Sequence, residues 1–415
     1  MKIFPSRPRL GWRRKDHAIL IAVRGMLQFR RITAQNRFIA QIDGLRFVAI
    51  AWVVFFHIYA SLQTRSAIPV PWPENGDLTK RGVELFYAIS GFILGVPFAS
   101  ARLRNAPAVN LKQYFLRRLT RLEPPYFISL FVWAAAQWVT ARRPLSNMAP
   151  HLLASFLYLH NLIFGGFEGA VNTAAWSLEV EIQFYLLVPL LAALFAIAVT
   201  RLRRIVIVGL MLASGILSLP LYKMVHFHYS IAYYLAFFLA GFLVCDLYVT
   251  RQGEWKPSFL WDALALCLWP LILYPGRTVG HIVLPFVIVA LYLAAFRGRI
   301  CSAVFGNRVL TNIGGMCYSI YLFHALVIYF VKHMTFRLHI GQNFWFYYSL
   351  QACMIVPVVL LLCGAFFVLI ERPCMDKEWP QKLWRLTHTL RTKGAMPSDL
   401  VKPLSPGEER PSADQ

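Results

Sequence analysis

Ten times along this chain a stretch of about twenty apolar residues recurs between basic or turn-forming clusters, and no other feature constrains the fold as much. A helix rising ~1.5 Å per residue needs about 20 residues to cross a hydrocarbon core ~30 Å thick. The stretches cover residues 39–62, 82–101, 122–141, 174–200, 205–222, 229–249, 258–274, 278–296, 311–331 and 344–370. Composition agrees: 58% of the residues are apolar and only 15% charged, against about a quarter in a soluble domain. The expected fold is all-α and integral to a membrane, a bundle of about ten transmembrane helices. An even number of spans returns both chain ends to one side.

The distribution of charge says which side. Lys and Arg close to span ends accumulate in the cytoplasm. With the N-terminus inside, 32 of the 42 basic residues fall on inner segments and nine on outer ones, Arg65, Lys80, Arg81, Arg142, Arg143, Lys223, Arg277, Lys332 and Arg337. Arg46 lies within the first span and completes the set. A multi-pass protein of the inner (plasma) membrane with both termini cytoplasmic is therefore expected. The net charge of +23 would suggest nucleic acid in a soluble protein, but the basic residues sit between apolar segments and no nucleic-acid-binding pattern accompanies them. No nucleic-acid partner is expected; the lipid bilayer is.

Three regions follow: a basic cytoplasmic extension over 1–37, the membrane domain over 38–373, and a cytoplasmic tail over 374–415, largely disordered, its last 25 residues rich in Pro, Ser, Glu and Lys. The apolar patch 18–23 in the extension is too short to span. The extension reads as an interfacial helix, a disordered tail or sequence ahead of the true start, since Met26 would leave the first span intact. The outer segment 142–173 holds an apolar stretch, 151–164, that either lies along the outer surface or folds back between helices. The seven cysteines, Cys245, Cys267, Cys301, Cys317, Cys353, Cys363 and Cys374, form no CxxC pair and read as small core residues, neither a disulfide frame nor a zinc site. No internal repeat is present, which weighs against the transporter folds built from inverted halves.

A charge near a helix centre costs about 2.5–3.5 kcal/mol on insertion scales, so each ionisable residue inside a span is a functional candidate. They are Arg46, His57, Glu84, Glu179, Glu181 and His324, with Asp246 and Asp262 near span ends. Arg46 and His57 stand eleven residues apart, three turns and about 20°, and share one helix face. Counting rise from the span ends brings His57, Glu84, Glu181 and His324 to one layer in the outer half of the bilayer. Glu179 and Glu181 are about 200° apart, so one of them pairs elsewhere. An imidazole beside a carboxylate is the minimum for taking a proton from a hydroxyl, and acyl transfer from a thioester to an alcohol needs such a base and a donor for the oxyanion. The plainer alternatives are an interfacial His57 facing headgroups, an Arg46 that snorkels to the inner surface, and a His324 that is a hydrogen-bonded core residue. On the inner side Lys112, Arg117, Arg118 and Arg121 precede Pro124, and the last three arginines share a helical face suited to phosphate groups, or simply to anchoring.

These segments resemble the acyltransferase 3 family of polytopic membrane O-acyltransferases. Ile42-Asp43-Gly44-Leu45-Arg46 through His57 is similar to the family's Arg-x10-His signature. Gly82-Val83-Glu84-Leu85-Phe86 with Ser90-Gly91-Phe92 resembles its second-span motif, and the run from Arg117 to Pro124 its basic inner segment. Trp176-Ser177-Leu178-Glu179-Val180-Glu181 resembles its fourth-span motif, with Glu181 at the family position. Tyr318-Ser319-Ile320-Tyr321-Leu322, His324 and Glu371-Arg372-Pro373 complete the likeness.

The resemblance implies a ten-helix bundle, a cytoplasmic acyl-CoA (acetyl-CoA in the commonest case) as co-substrate with no permanently bound cofactor, and a carbohydrate or glycolipid hydroxyl acceptor reached at the outer side. His57, Glu84, Glu181, Arg46 and His324 would carry the catalysis, and Arg117, Arg118, Arg121 and Lys112 the donor. Three features depart from the pattern: the extension before the first span, Cys317 where Ser is common, and no hydrolase-like domain after the tenth span. A transporter or flippase for a lipid-linked or acylated glycan, and a ligand-binding membrane sensor, stand as the competing readings.

Overall fold

The computed structural model describes residues 38–63, 76–273, 276, 278–335, 338, 343–376 and 378–381. The expected extension over 1–37 and the tail beyond 381 lie outside them. Among the described residues every regular element is a helix. The principal ones are α1 (Ala40–Gln63), α2 (Arg81–Leu103), α3 (Leu111–Thr140), α4 (Leu145–Phe156), α5 (His160–Phe164), α6 (Trp176–Leu191) and α7 (Thr200–Leu221). They continue as α8 (Ile231–Arg251), α9 (Phe259–Leu273), α10 (Leu284–Arg297), α11 (Arg299–Phe305), α12 (Arg308–Gly315), α13 (Cys317–Thr335) and α14 (Phe344–Phe366).

A helix occupies each of the ten apolar stretches, and among the described residues eight helical segments are long and apolar enough to cross a membrane. The other two differ for physical reasons. The third stretch is the second half of α3, whose 30 residues include Arg117, Arg118, Arg121, Glu123 and the pair Pro124-Pro125. These dilute its hydropathy and mark its first half as interfacial. α9 has 15 residues, about 22 Å of helix, less than the ~30 Å of a hydrocarbon core. The helix starts are legible in the caps. Asn110 accepts a hydrogen bond from the Gln113 amide, Asn343 from that of Phe346 and Asn307 from that of Val309. Asp262 on α9 accepts from the amides of Arg299, Ile300 and Cys301, so one carboxylate ties α9 to the first turn of α11.

Burial shows which helix is central. The span ending in α8 has 72% of its membrane-length window buried, against 28% for α7 and for the span opening with α14. α8 is therefore the axis, and those two turn most of their surface to lipid. Its aromatic side fills the core: Phe238 stacks on Phe184 of α6 with centroids 4.0 Å apart and on Tyr87 of α2 at 4.5 Å. α2 and α8 cross where Gly91 meets Gly241. A Cβ on Gly91 would collide with the Phe238 carbonyl, and one on Gly241 with the Ala88 carbonyl. Small residues at a crossing let two backbones approach, which is how helices associate in lipid.

The segment between α3 and α6 forms α4 and α5. Tyr126 of α3 donates to the Ser155 carbonyl, and Asn161 donates to the carbonyl of Trp176 and, at 3.4 Å, to that of Tyr229. Leu145, Leu153, Leu157, Leu162 and Ile163 remain exposed, while Phe156 and Tyr158 pack on Phe127 and Tyr126 of α3, so this segment holds onto the bundle through both polar and aromatic contacts and turns its remaining apolar side chains outward.

Candidate active site

α1 and α13 bring two imidazoles together. His57 Nδ1 lies 2.8 Å from the Val53 carbonyl one turn back, and His324 Nδ1 lies 2.8 Å from the Tyr321 carbonyl and 3.0 Å from that of Ile320. A carbonyl can only accept, so in the neutral state each ring carries its proton on Nδ1. His324 Nε2 is 3.4 Å from His57 Nδ1, with the rings edge to face at 4.9 Å. His324 Nε2 is thus an acceptor beside the His57 N–H, and the His57 Nε2 lone pair is left to take a proton from a substrate. His57 is half-buried and His324 fully buried.

The turn that presents His324 is held from three sides. Trp133 Nε1 of α3 donates to the Leu322 carbonyl at 3.0 Å, and Asn172 Nδ2 reaches the same oxygen at 3.2 Å. The Tyr321 hydroxyl meets Ser177 Oγ at 2.6 Å and donates to the Ala174 carbonyl. Tyr87 of α2 donates to the Ser177 carbonyl at 3.3 Å. Of these, Trp133, Asn172 and Tyr87 carry no charge and stand far from His324 in sequence, so an inspection for ionisable residues passes over them.

The hydrogen bonds of the two imidazoles go to backbone carbonyls and to each other, and the carboxylates have partners of their own. Glu84 accepts from Arg81 one turn earlier on α2 at 2.8 Å, with both side chains buried, and Arg81 Nε also donates to the Ile272 carbonyl at 3.2 Å. The expected hydrogen bond from His57 to Glu84 or Glu181 is not among those of the described residues; the side chain beside His57 Nδ1 is His324. Arg81, which its sequence position assigns to the outer loop, is inside the bundle and holds Glu84. Glu181 accepts from Ser90 of α2 and from the Tyr185 hydroxyl at 2.7 Å. Glu179, on the other face of α6, accepts from the Asn161 amide at 2.8 Å and so caps α5. Arg46 pairs with Asp43 one turn back on α1, near its N-terminal end.

From Glu181 an aromatic track leads through Tyr185 and Tyr114 to Arg118. Tyr114 donates to the Tyr185 carbonyl at 3.2 Å, and the Arg118 guanidinium lies 3.5 Å from the Tyr114 ring centroid and 5.5 Å from that of Tyr185. Arg118 also donates to the Tyr114 carbonyl at 2.6 Å. Arg117 and Lys112 are exposed, while Arg118 and Arg121 are half-buried, and the Nε of each of these two is buried with no hydrogen-bond partner. The Arg372 Nε is in the same condition, on the helix end that packs against α3. A buried guanidinium N–H left unmatched costs stability, and an anionic ligand would remove that cost. Glu371 beside it accepts from the Ser319 amide at 3.0 Å and hydroxyl at 2.5 Å, which braces the start of α13.

A family model described as an acyltransferase domain matches residues 39–366. The peptidoglycan O-acetyltransferase OatA of Listeria monocytogenes is 28% identical over 205 residues, 46% of this chain and 31% of that protein. A protein of Staphylococcus aureus strain COL named "Putative O-acetyltransferase" is 25% identical over 71% of this chain and 51% of its own length. The "Putative membrane-bound transacylase BcsY" of Komagataeibacter xylinus is 26% identical over 81% of this chain and 83% of its own. The chain thus spans about a third to a half of the first two relatives and most of the third. No solved structure matches it.

Proposed function

Because the chain belongs to the acyltransferase 3 family, we propose that it is a membrane O-acyltransferase moving an acyl group, acetyl in the simplest case, from acyl-CoA at the cytoplasmic face to a carbohydrate-type hydroxyl at the outer side. The observation that carries this reading is the imidazole pair: the Val53 carbonyl holds the His57 proton on Nδ1, His324 Nε2 lies beside that N–H, and in this reading His57 Nε2 serves as the base. In this mechanism the acceptor hydroxyl gives its proton to His57 Nε2 while its oxygen attacks the thioester carbonyl. The tetrahedral oxyanion then collapses, the C–S bond breaks, and the CoA thiolate takes up the proton. A thiol of pKa about 8.5 leaves without strong acid assistance.

The donor's phosphates would meet Arg118 and Arg121, whose Nε atoms lack partners, with Arg117 and Lys112 at the rim. Its thioester arm would rise along Tyr114 and Tyr185 toward Ser90 and Glu181. Arg46, held by Asp43, stands on the same helix as His57 and below it. The Listeria relative, named for peptidoglycan, supports a glycan as the acceptor class. The inner placement of the arginines follows from the 32 to nine division of basic residues.

The test uses purified protein with radiolabelled acetyl-CoA and a glycan acceptor. His57→Ala should lower turnover by about 10²–10⁴-fold, the contribution of a positioned base, with the thermal transition retained. Turnover equal to the parent would remove His57 from the chemistry. Release of free CoA separates an acyltransferase from a flippase, which would move the glycan and leave acetyl-CoA intact.

A further inference from the structure

A cleft of about 450 Å³, lined by neither Arg118 nor the two histidines, opens at the ends of α2, α7 and α8 against Arg102, Phe195, Thr200, Arg203 and Thr250. Arg203 is 1% exposed and rigidly held: Nε donates to Asp246 at 2.5 Å, one terminal nitrogen to the Ile197 carbonyl at 2.7 Å, and the other weakly to Thr200 at 3.4 Å. Three of the five N–H groups of a guanidinium are thereby engaged, and two remain for a ligand. Arg204 shares the same carboxylate through its Nε at 2.7 Å. Two guanidinium groups against one carboxylate leave a positive excess, and Arg102, exposed on the last turn of α2, adds to it. The first turn of α7 has no side-chain cap, so its amides add positive potential.

A membrane anchor keeps its cationic head in water. Arg203 does the opposite: it is buried, its rotamer is fixed from three directions, and it lines a space large against the ~30 Å³ of a water molecule. We propose that this cleft is a binding site for a phosphate ester, with the buried Arg203 fork as its floor and Arg102 as its rim. Its position at the cytoplasmic face rests on the orientation argued under the proposed function. Two sources present that chemistry there. One is the nucleotide end of the acyl donor, because Phe98, one turn from Arg102, packs its ring 5.5 Å from Tyr114 and so adjoins Arg118. The other is the headgroup of an anionic inner-leaflet lipid.

The full chain is purified, and its thermal transition is followed with inorganic pyrophosphate at constant ionic strength, for the parent, Arg102→Gln and Arg203→Lys. The parent should be stabilised and both variants less so; Arg102→Gln, altered only at an exposed rim, keeps the measurement readable if Arg203→Lys folds poorly. Two further arms separate the sources. If the nucleotide binds here, Arg102→Gln raises the KM for acetyl-CoA about tenfold or more, as loss of a charged hydrogen bond does, and leaves acetyl-pantetheine kinetics unchanged. If a lipid binds here, both KM values hold, and the parent melts higher in phosphatidylglycerol than in phosphatidylcholine nanodiscs by a margin that Arg102→Gln narrows. Equal pyrophosphate stabilisation in parent and Arg102→Gln, with no change in either arm, overturns the proposal. Failure of the enzyme reading itself appears separately, as no CoA release from the parent while the pyrophosphate and lipid arms still respond.

Discussion

His324 has two nitrogens with different tasks, and substitution can tell them apart. Nδ1 is spent on the carbonyls of Ile320 and Tyr321, while Nε2 faces the His57 N–H at 3.4 Å. His324→Phe keeps a planar ring and removes the acceptor; His324→Gln places an amide oxygen near the lost Nε2. Turnover should fall about 10- to 100-fold in the Phe variant, the scale of a misplaced catalytic group, and recover in part in the Gln variant. A merely structural role would give both variants the same loss, or favour Phe, which suits a buried site better. The sequence makes His57 and His324 conspicuous because an imidazole inside a span is rare. It hides their pairing, because register between helices 267 residues apart depends on how Trp133, Asn172 and Ser177 lock the α13 turn. It hides the fate of Glu84 as well. Arg81 falls just outside the apolar window, yet it is one turn from Glu84 and burial couples the two.

Between helices, the α2–α8 crossing and the α4–α5 segment respond to different perturbations. At the crossing the obstacle to a larger residue is backbone, which cannot swing aside as a flexible side chain does. Gly241→Val should therefore destabilise by about 3 kcal/mol or more, the upper end for overpacking, read as a lowered thermal transition. Gly209, with open space around its Cβ position, should accept the same change with little loss. In the outer segment, His151 Nδ1 contacts His160 Nε2 at 2.9 Å, and His160 Nδ1 donates to the Gly166 carbonyl at 2.9 Å. Burial and then the neighbouring Arg143 hold His151 below its ordinary value. For His160 burial again dominates, and His151 and Arg143 lower it further against the opposing effect of the Gly166 carbonyl. Groups depressed on folding bind more protons when the segment opens, so their stabilisation is complete above about pH 6.5 and is lost as pH falls through the folded values. Amide exchange across 145–166, corrected for intrinsic rates, should quicken from pH 7 to pH 5 more than in α8; equal acceleration in both would refute the coupling. The apolar run 151–164 signals this segment in the sequence, but its turns come from Tyr126, Asn161 and Glu179, whose partners are remote.

At the scale of the whole molecule, the ten apolar stretches all became helices because helix is the open-ended structure that satisfies its backbone within lipid without a neighbour. The two that do not qualify as full spans differ in kind: α3 is long enough but diluted by its charges and prolines, whereas α9 is apolar but short. Orientation is a separate matter, since a bundle and its inversion have the same contacts, and the charge asymmetry is the argument for the proposed one. Single cysteines at Asn105, in the connection between α2 and α3, and at Gly253, after α8, should resist a membrane-impermeant maleimide in intact cells and react once the membrane is opened. A cysteine at the exposed Asn147 of α4 should react in intact cells. Signal above the parent matters, because Cys267 and Cys353 are already exposed on the bundle surface. The three positions test more than topology. The arginines of α3 and the cleft beneath α2, α7 and α8 can meet a cytoplasmic phosphate only if 105 and 253 are shielded together, whereas a reversed pattern would place Arg118 and Arg203 outside and leave the histidine pair facing the cell interior.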